Sequence, residues 1–85
     1  MPTTATFDEV RNVLAETLGI EDRAASLGPS TELLGSLPEL DSMAVLEVVG
    51  ALEERFGLTI EDSELTGDVF ETLGSLSDFV IAKAG

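Results

Sequence analysis

Apolar residues recur at helical spacing in three stretches of the chain, and these stretches predict three helices. The first covers residues 6–18, the second and most regular covers residues 41–56, and the third covers residues 75–83. No alternating run of polar and apolar residues predicts a strand.

Capping residues define the predicted ends of these helices. Thr6 and Ser75 are predicted N-caps of the first and third helices. Gly19 and Gly57 follow the first two helices in the position of a glycine stop, and Gly74 is predicted to end the turn before the third.

Irregular connections separate the predicted helices. Residues 20–40 form a long first loop, and a short helical turn near residues 31–34 is compatible with its sequence. Residues 61–66 and 68–73 predict two further short helical turns, and residues 1–5 are expected to be a flexible N-terminus. The predicted fold class is all-α: one domain of 85 residues, with three longer helices, one or two short helices and a long first loop.

The start of the second predicted helix admits two cap assignments. With Asp41 as the N-cap, Leu40 and Val45 occupy the two positions of a hydrophobic staple. With Ser42 as the N-cap, an acid precedes the cap and no staple forms. We favour Asp41, which leaves Ser42 at the first helical position with its hydroxyl free to face solvent.

Two faces of the second predicted helix carry different side chains. One follows the spacing of a core face and consists of Val45, Val48, Val49, Leu52 and Phe56. The other mixes apolar residues with acids, and we name it the docking stripe: Met43, Leu46, Glu47, Gly50 and Glu54. It begins one residue after Ser42 and is a candidate partner surface. The alternative is that Met43 and Leu46 only widen the core face.

The acidic composition restricts the partners of the chain. It has 17 acids and 4 bases, for a net charge of −13, and residues 39–64 hold eight acids and one base. This charge argues against nucleic-acid binding, which needs Lys and Arg, and favours partners with basic patches. No apolar run is long enough for a membrane span and no signal peptide is recognisable, so a cytoplasmic location is expected. The chain is expected to be a monomer.

Candidate chemistry is limited to one serine. The chain has no His and no Cys, so catalysis by its own side chains is not expected. The acidic run at residues 61–64 lacks the ligand pattern of a calcium loop, so no specific metal site is expected. Ser42 is a candidate modification site, because a helix N-terminus is favourable for an attached anionic group. Plain capping by Ser42 is the competing explanation.

Most of the chain resembles the acyl carrier proteins. The matching segments are LDSM at residues 40–43, VLEVVGALEERFG at residues 45–57 and FETLGSLSDFV at residues 70–80. The resemblance implies an acyl-carrier bundle that is not an enzyme but the substrate of a phosphopantetheinyl transferase. That enzyme would attach 4′-phosphopantetheine from coenzyme A to Ser42, and the thiol of the arm would carry acyl or aminoacyl groups as thioesters.

The same resemblance assigns roles to the neighbouring residues. Asp41 matches the acid that helps the transferase reaction at its metal centre. The docking stripe matches positions that meet partner enzymes. These partners would be an acyl-activating ligase and acyltransferases or condensing enzymes with basic docking patches.

Three residues depart from the pattern common in fatty-acid carriers. Leu40 stands where Gly is common, Met43 replaces the usual Leu, and Gly50 stands where a bulkier apolar residue is frequent. The segment PELDSM at residues 38–43 is more similar to stand-alone carriers of specialised pathways, of which the exosortase-associated type is the nearest. The alternatives are a D-alanyl or other aminoacyl carrier, some of which also have Asp-Ser-Met, and a non-carrier acidic protein-binding module.

Overall fold

The chain folds into three α-helices and two short 3₁₀-helices over the residues that this computed structural model describes, which are 5–33, 37 and 40–84. The elements are α1 at Phe7–Leu18, a 3₁₀-helix at Glu21–Ser26, α2 at Ser42–Phe56, a 3₁₀-helix at Asp62–Glu64 and α3 at Leu73–Ala84. Over these described ranges there is no strand, only an isolated antiparallel bridge between Glu32 and Thr72. The all-α prediction is confirmed. In the same ranges, no helix is long and apolar enough to cross a bilayer.

Polar caps and left-handed glycines fix the ends of α1 and α2. Thr6 Oγ1 accepts a hydrogen bond at 3.2 Å from a backbone N–H in the first turn of α1. Gly19 at φ 71° and Gly57 at φ 64° end the two helices in the left-handed conformation, which glycine adopts without steric cost. The N–H of Leu58 then donates to the Glu53 carbonyl at 3.1 Å, as in a Schellman stop. The predicted ends of both helices are confirmed to within one residue.

The start of α3 corrects the sequence prediction. The helix begins at Leu73 rather than at residue 75, because Thr72 and not Ser75 caps it. Thr72 Oγ1 accepts from the Ser75 N–H and Ser75 Oγ accepts from the Thr72 N–H, both at 3.0 Å. This reciprocal pair resembles a capping box and makes Ser75 the third helical residue. Gly74, predicted to end a preceding turn, therefore lies inside α3.

The connections contain both confirmed and wrong predictions. The 3₁₀-helix at Glu21–Ser26 was not predicted, whereas the one at Asp62–Glu64 confirms a short turn within residues 61–66. Residues 67–70 form a hydrogen-bonded turn instead of a helix. Residues 31–33 are not helical, and residue 34 lies outside the described residues, as do residues 1–4 of the predicted flexible N-terminus.

The core lies where α1 packs against both α2 and α3. Its most deeply buried side chains are Val10, Leu14, Leu33, Val48, Leu52, Leu73, Leu76 and Val80. The long first loop adds Leu27, Leu37 and Leu40 to this cluster. Burial of Leu40 holds the chain in place immediately before α2 begins.

Backbone hydrogen bonds attach the long first loop to the N-terminus of α3. The Gly74 N–H donates to the Pro29 carbonyl at 2.9 Å, and the Leu73 N–H donates to the Thr31 carbonyl at 2.8 Å. A Cβ on Gly74 would lie 2.7 Å from the Pro29 oxygen, so this close approach requires glycine. These bonds hold residues 29–31 of the first loop against the start of α3.

Candidate functional site

The residue before α2 provides the helix cap. Asp41 Oδ1 accepts a hydrogen bond from the Ala44 N–H at 2.8 Å, and the Asp41 carbonyl accepts from the Val45 N–H at 2.9 Å. Leu40 is buried and Val45 is half-buried, as the staple assignment requires. Of the two cap assignments, the one with Asp41 is therefore confirmed.

Ser42 is the first residue of α2 and is exposed. Its hydroxyl, its N–H and the N–H of Met43 have no hydrogen-bond partner among the described residues. Unpaired N–H groups and the positive end of the helix dipole favour a negative charge at this position. The sequence has no His or Cys that would activate the hydroxyl. The geometry thus suits a hydroxyl that another enzyme modifies.

The docking stripe is exposed along its whole length. Met43 is 68% exposed and Leu46 is 60% exposed, while Glu47, Gly50 and Glu54 are also exposed. The buried face of α2 consists of Ala44, Val48, Val49, Leu52 and Phe56. The alternative that Met43 and Leu46 widen the core face is therefore wrong. Both side chains leave apolar area in water beside Ser42.

Two residues near the stripe have structural contacts that sequence analysis missed. Glu53 Oε2 accepts from the Ile60 N–H at 2.7 Å and ties the end of α2 to the following segment. Arg55 donates from its two terminal nitrogens to Glu9 at 2.8 Å and Glu16 at 2.9 Å, both on α1. Arg55 is the single base within residues 39–64, so the sequence could have predicted that it forms ion pairs. Nothing in the sequence distinguishes Glu53 from the neighbouring acids.

Two open grooves flank Arg55, with volumes of about 400 and 330 Å³. Their linings are rich in charged side chains, with Glu16 in both and Glu54 in the larger one. Neither lining includes Ser42 or Met43. These grooves are therefore separate from the N-terminus of α2 and poorly suited to an apolar group.

Comparisons with known proteins agree with this geometry. A family model described as a phosphopantetheine attachment site matches residues 8–80. The acyl carrier protein of Campylobacter concisus is 40% identical over 84 residues, which cover 95% of this chain and 97% of the relative. The acyl carrier protein AcpXL of Rhizobium etli is 32% identical over 80 residues, or 94% of this chain and 84% of the relative.

A solved structure shows the same fold. The solution NMR structure of a holo acyl carrier protein from Nitrosomonas europaea is 48% identical to this chain, with a TM-score of 0.84. The match covers 91% of this chain and 93% of that chain.

The fold, the family model and the named relatives together define this chain as a carrier protein with a covalent prosthetic group and not as an enzyme. The chain belongs to the acyl carrier protein family, and 4′-phosphopantetheine is its prosthetic group. Membership also implies partner enzymes that attach the arm and process acyl groups. The exposed hydroxyl at the N-terminus of α2 fits that group, because a phosphate attached there meets N–H groups that have no partner in the part of the chain that the structure describes.

Proposed function

We propose that Ser42 Oγ carries the 4′-phosphopantetheine arm of this carrier. The supporting observation is an exposed hydroxyl, unpaired among the described residues, on a helix that the preceding residue already caps. A phosphodiester on Ser42 would lie beside the unpaired N–H groups of Ser42 and Met43. When bound, the arm supplies the thiol that the chain, with no Cys, does not have.

Attachment requires a phosphopantetheinyl transferase. Ser42 Oγ forms a bond to phosphorus, the pyrophosphate bond of coenzyme A breaks, the nucleotide leaves, and the hydroxyl proton passes to a base of the transferase. We assign Asp41 a supporting contact at the metal centre of that enzyme. Its Oδ1 caps α2, while Oδ2 has no partner among the described residues, so capping and metal contact do not compete.

The docking stripe is the proposed contact surface for partner enzymes. It combines two exposed apolar side chains with the exposed carboxylates of Glu47 and Glu54 on a chain of net charge −13. Partners with basic patches around a small apolar contact would be steered to it and released quickly. These partners are the transferase, an acyl-activating ligase, and acyltransferases or condensing enzymes.

The proposed setting is a specialised pathway of lipid or secondary metabolism in the cytoplasm. Support comes from Leu40, Met43 and Gly50, which depart from the pattern of fatty-acid carriers. Loading the holo protein with a panel of acyl and aminoacyl ligases tests this assignment. Efficient loading by a housekeeping fatty-acid enzyme alone would argue against it.

The attachment site is tested by intact-protein mass spectrometry. The chain is incubated with coenzyme A, magnesium and a broad-specificity phosphopantetheinyl transferase, in parallel with Ser42→Ala and the matched control Ser63→Ala at another exposed serine. We expect one phosphopantetheine on the parent and on the control, and none on Ser42→Ala. Attachment to Ser42→Ala, or no attachment to the folded parent, would contradict the assignment.

Charge reversal tests the docking stripe. Glu47→Lys and Glu54→Lys are expected to lower the transferase kcat/KM through KM, because the carboxylates act in docking. The control Asp78→Lys reverses an exposed acid on α3. If the transferase modifies all three variants with the kcat/KM of the parent at low ionic strength, the stripe is not the docking surface.

A further inference from the structure

Gly50 has no structural reason to be glycine. It is the ninth of 15 residues in α2, and its φ is not among the positive values, which in the described ranges occur only at Gly19 and Gly57. A Cβ built on Gly50 has no atom within 4 Å, whereas one on Gly74 would meet the Pro29 carbonyl. Glycine inside a helix lowers its stability relative to alanine. The fold would therefore accept a side chain at position 50 and gain stability from it.

The missing side chain leaves a gap in the middle of the docking stripe. Leu46 and Glu54 lie four residues before and after Gly50 on the same helix face, and both are exposed. Their Cα atoms are about 12 Å apart along the axis of an ideal helix. The wall of the gap toward Ser42 is apolar, formed by Leu46, and the far wall is the acid Glu54.

We infer that Gly50 is a specificity-determining position, at which a bulky apolar side chain of the partner transferase enters this gap. The inference rests on the proposed attachment at Ser42 and docking by the stripe. The exposed Leu46 fits an apolar side chain, and Glu47 and Glu54 fit basic residues on either side of it. A carrier with a large residue at position 50 would fill the gap and be rejected sterically.

Gly50 lies within reach of a transferase that acts on Ser42. It is eight positions after Ser42, which is about 12 Å along the helix axis. An interface of about 600 Å² on the carrier, centred on the reacting hydroxyl, has a radius of about 14 Å. A transferase that docks along the stripe from Ser42 therefore covers Gly50.

A side-chain series at position 50 tests the inference. Gly50→Ala, Gly50→Leu and the control Ala82→Leu, at an exposed residue of α3, are assayed with the phosphopantetheinyl transferase of the same genome. We expect Gly50→Ala to raise the melting temperature by about 4–8 °C. Gly50→Leu is expected to lower kcat/KM about tenfold or more, through KM, with Gly50→Ala intermediate and the control within about twofold of the parent.

The possible results separate this inference from the proposed function. If the parent and Gly50→Leu are modified with equal kcat/KM, the gap is not used and the inference is wrong, while attachment at Ser42 stands. A tenfold loss in Gly50→Leu with a melting temperature at or above that of the parent supports the inference. An equal loss of kcat/KM in Ala82→Leu would overturn it, because the effect would then not depend on the stripe. If the parent is not modified at all, the proposed attachment itself fails.

Discussion

Replacing two adjacent glutamates in α2 by alanine, one at a time, is expected to affect two different properties: the stability of the fold and the docking of partners. Glu53 is half-buried, and its Oε2 accepts the backbone N–H of Ile60 at 2.7 Å. Glu54 is exposed and has no partner among the described residues. Glu53→Ala should therefore destabilise the fold, and Glu54→Ala should weaken partner docking instead.

The size of the stability difference follows from the lost hydrogen bond. Both substitutions remove one negative charge and change helix propensity equally, so these contributions cancel between the variants. What remains is a charge-assisted hydrogen bond to the N–H of Ile60, a residue only 7% exposed. Such a bond contributes about 2 kcal/mol, which corresponds to a difference in melting temperature of about 8–16 °C in a domain of this size.

Two assays on the same pair of variants check the reasoning. Urea unfolding followed by circular dichroism gives the free energy of unfolding, and the transferase kcat/KM on folded protein gives docking. We expect Glu53→Ala to be the less stable variant and Glu54→Ala to be the poorer substrate. A difference in unfolding free energy below about 0.5 kcal/mol, the range of ordinary surface substitutions, would refute the structural role of Glu53.

Three further substitutions test other features of the chain. Gly74→Ala should cost about 1–3 kcal/mol, because its Cβ would lie 2.7 Å from a loop carbonyl, whereas Gly28→Ala, with open space, should stay within about 0.5 kcal/mol of the parent in urea unfolding. The Lys83 ammonium lowers the pKa of Glu64 below its ordinary 4.5, so the stability this carboxylate contributes is fully present above pH 4.5 and is lost as the pH falls below it. The melting temperature of Glu64→Gln should therefore lie below that of the parent at neutral pH and approach it on acidification; a gap that stays constant with pH would contradict this. Asp41→Asn should keep the helix cap and the melting temperature but slow attachment of the arm, whereas Asp41→Ala should cost about 1 kcal/mol as well. Unchanged attachment rates in both Asp41 variants would remove its role in the transferase reaction.

The ends of α1 and α2 were predictable because local chemistry determines them. Thr6 and Asp41 accept N–H groups within their own first turns, and Gly19 and Gly57 adopt left-handed conformations at the ends. No contact from a distant segment is needed for any of these features. The same is true of the position of Ser42, which follows from the cap assignment.

Long-range contacts explain where the sequence prediction of α3 failed. Thr72, Gly74 and Ser75 are compatible locally with a cap, a stop and a second cap. The reciprocal hydrogen bonds between Thr72 and Ser75 make Thr72 the cap, and the Pro29 carbonyl, which accepts the Gly74 N–H and leaves no space for a Cβ, explains why a glycine lies inside the helix. Pro29 lies 45 positions earlier in the chain, so no local pattern predicts this contact.

The orientation of Arg55 explains how α2 keeps an acidic outer face. Residues 39–64 hold eight acids and this single base, and no acid of α2 lies one turn away from Arg55 to pair with it. Its guanidinium instead contacts Glu9 and Glu16 of α1 at 2.8 and 2.9 Å. The base therefore neutralises carboxylates of the neighbouring helix and leaves Glu47 and Glu54 without a cationic partner among the described residues. One ion-pair network thus ties α2 to α1 and also leaves on α2 the negative charge that steers basic partners toward Ser42.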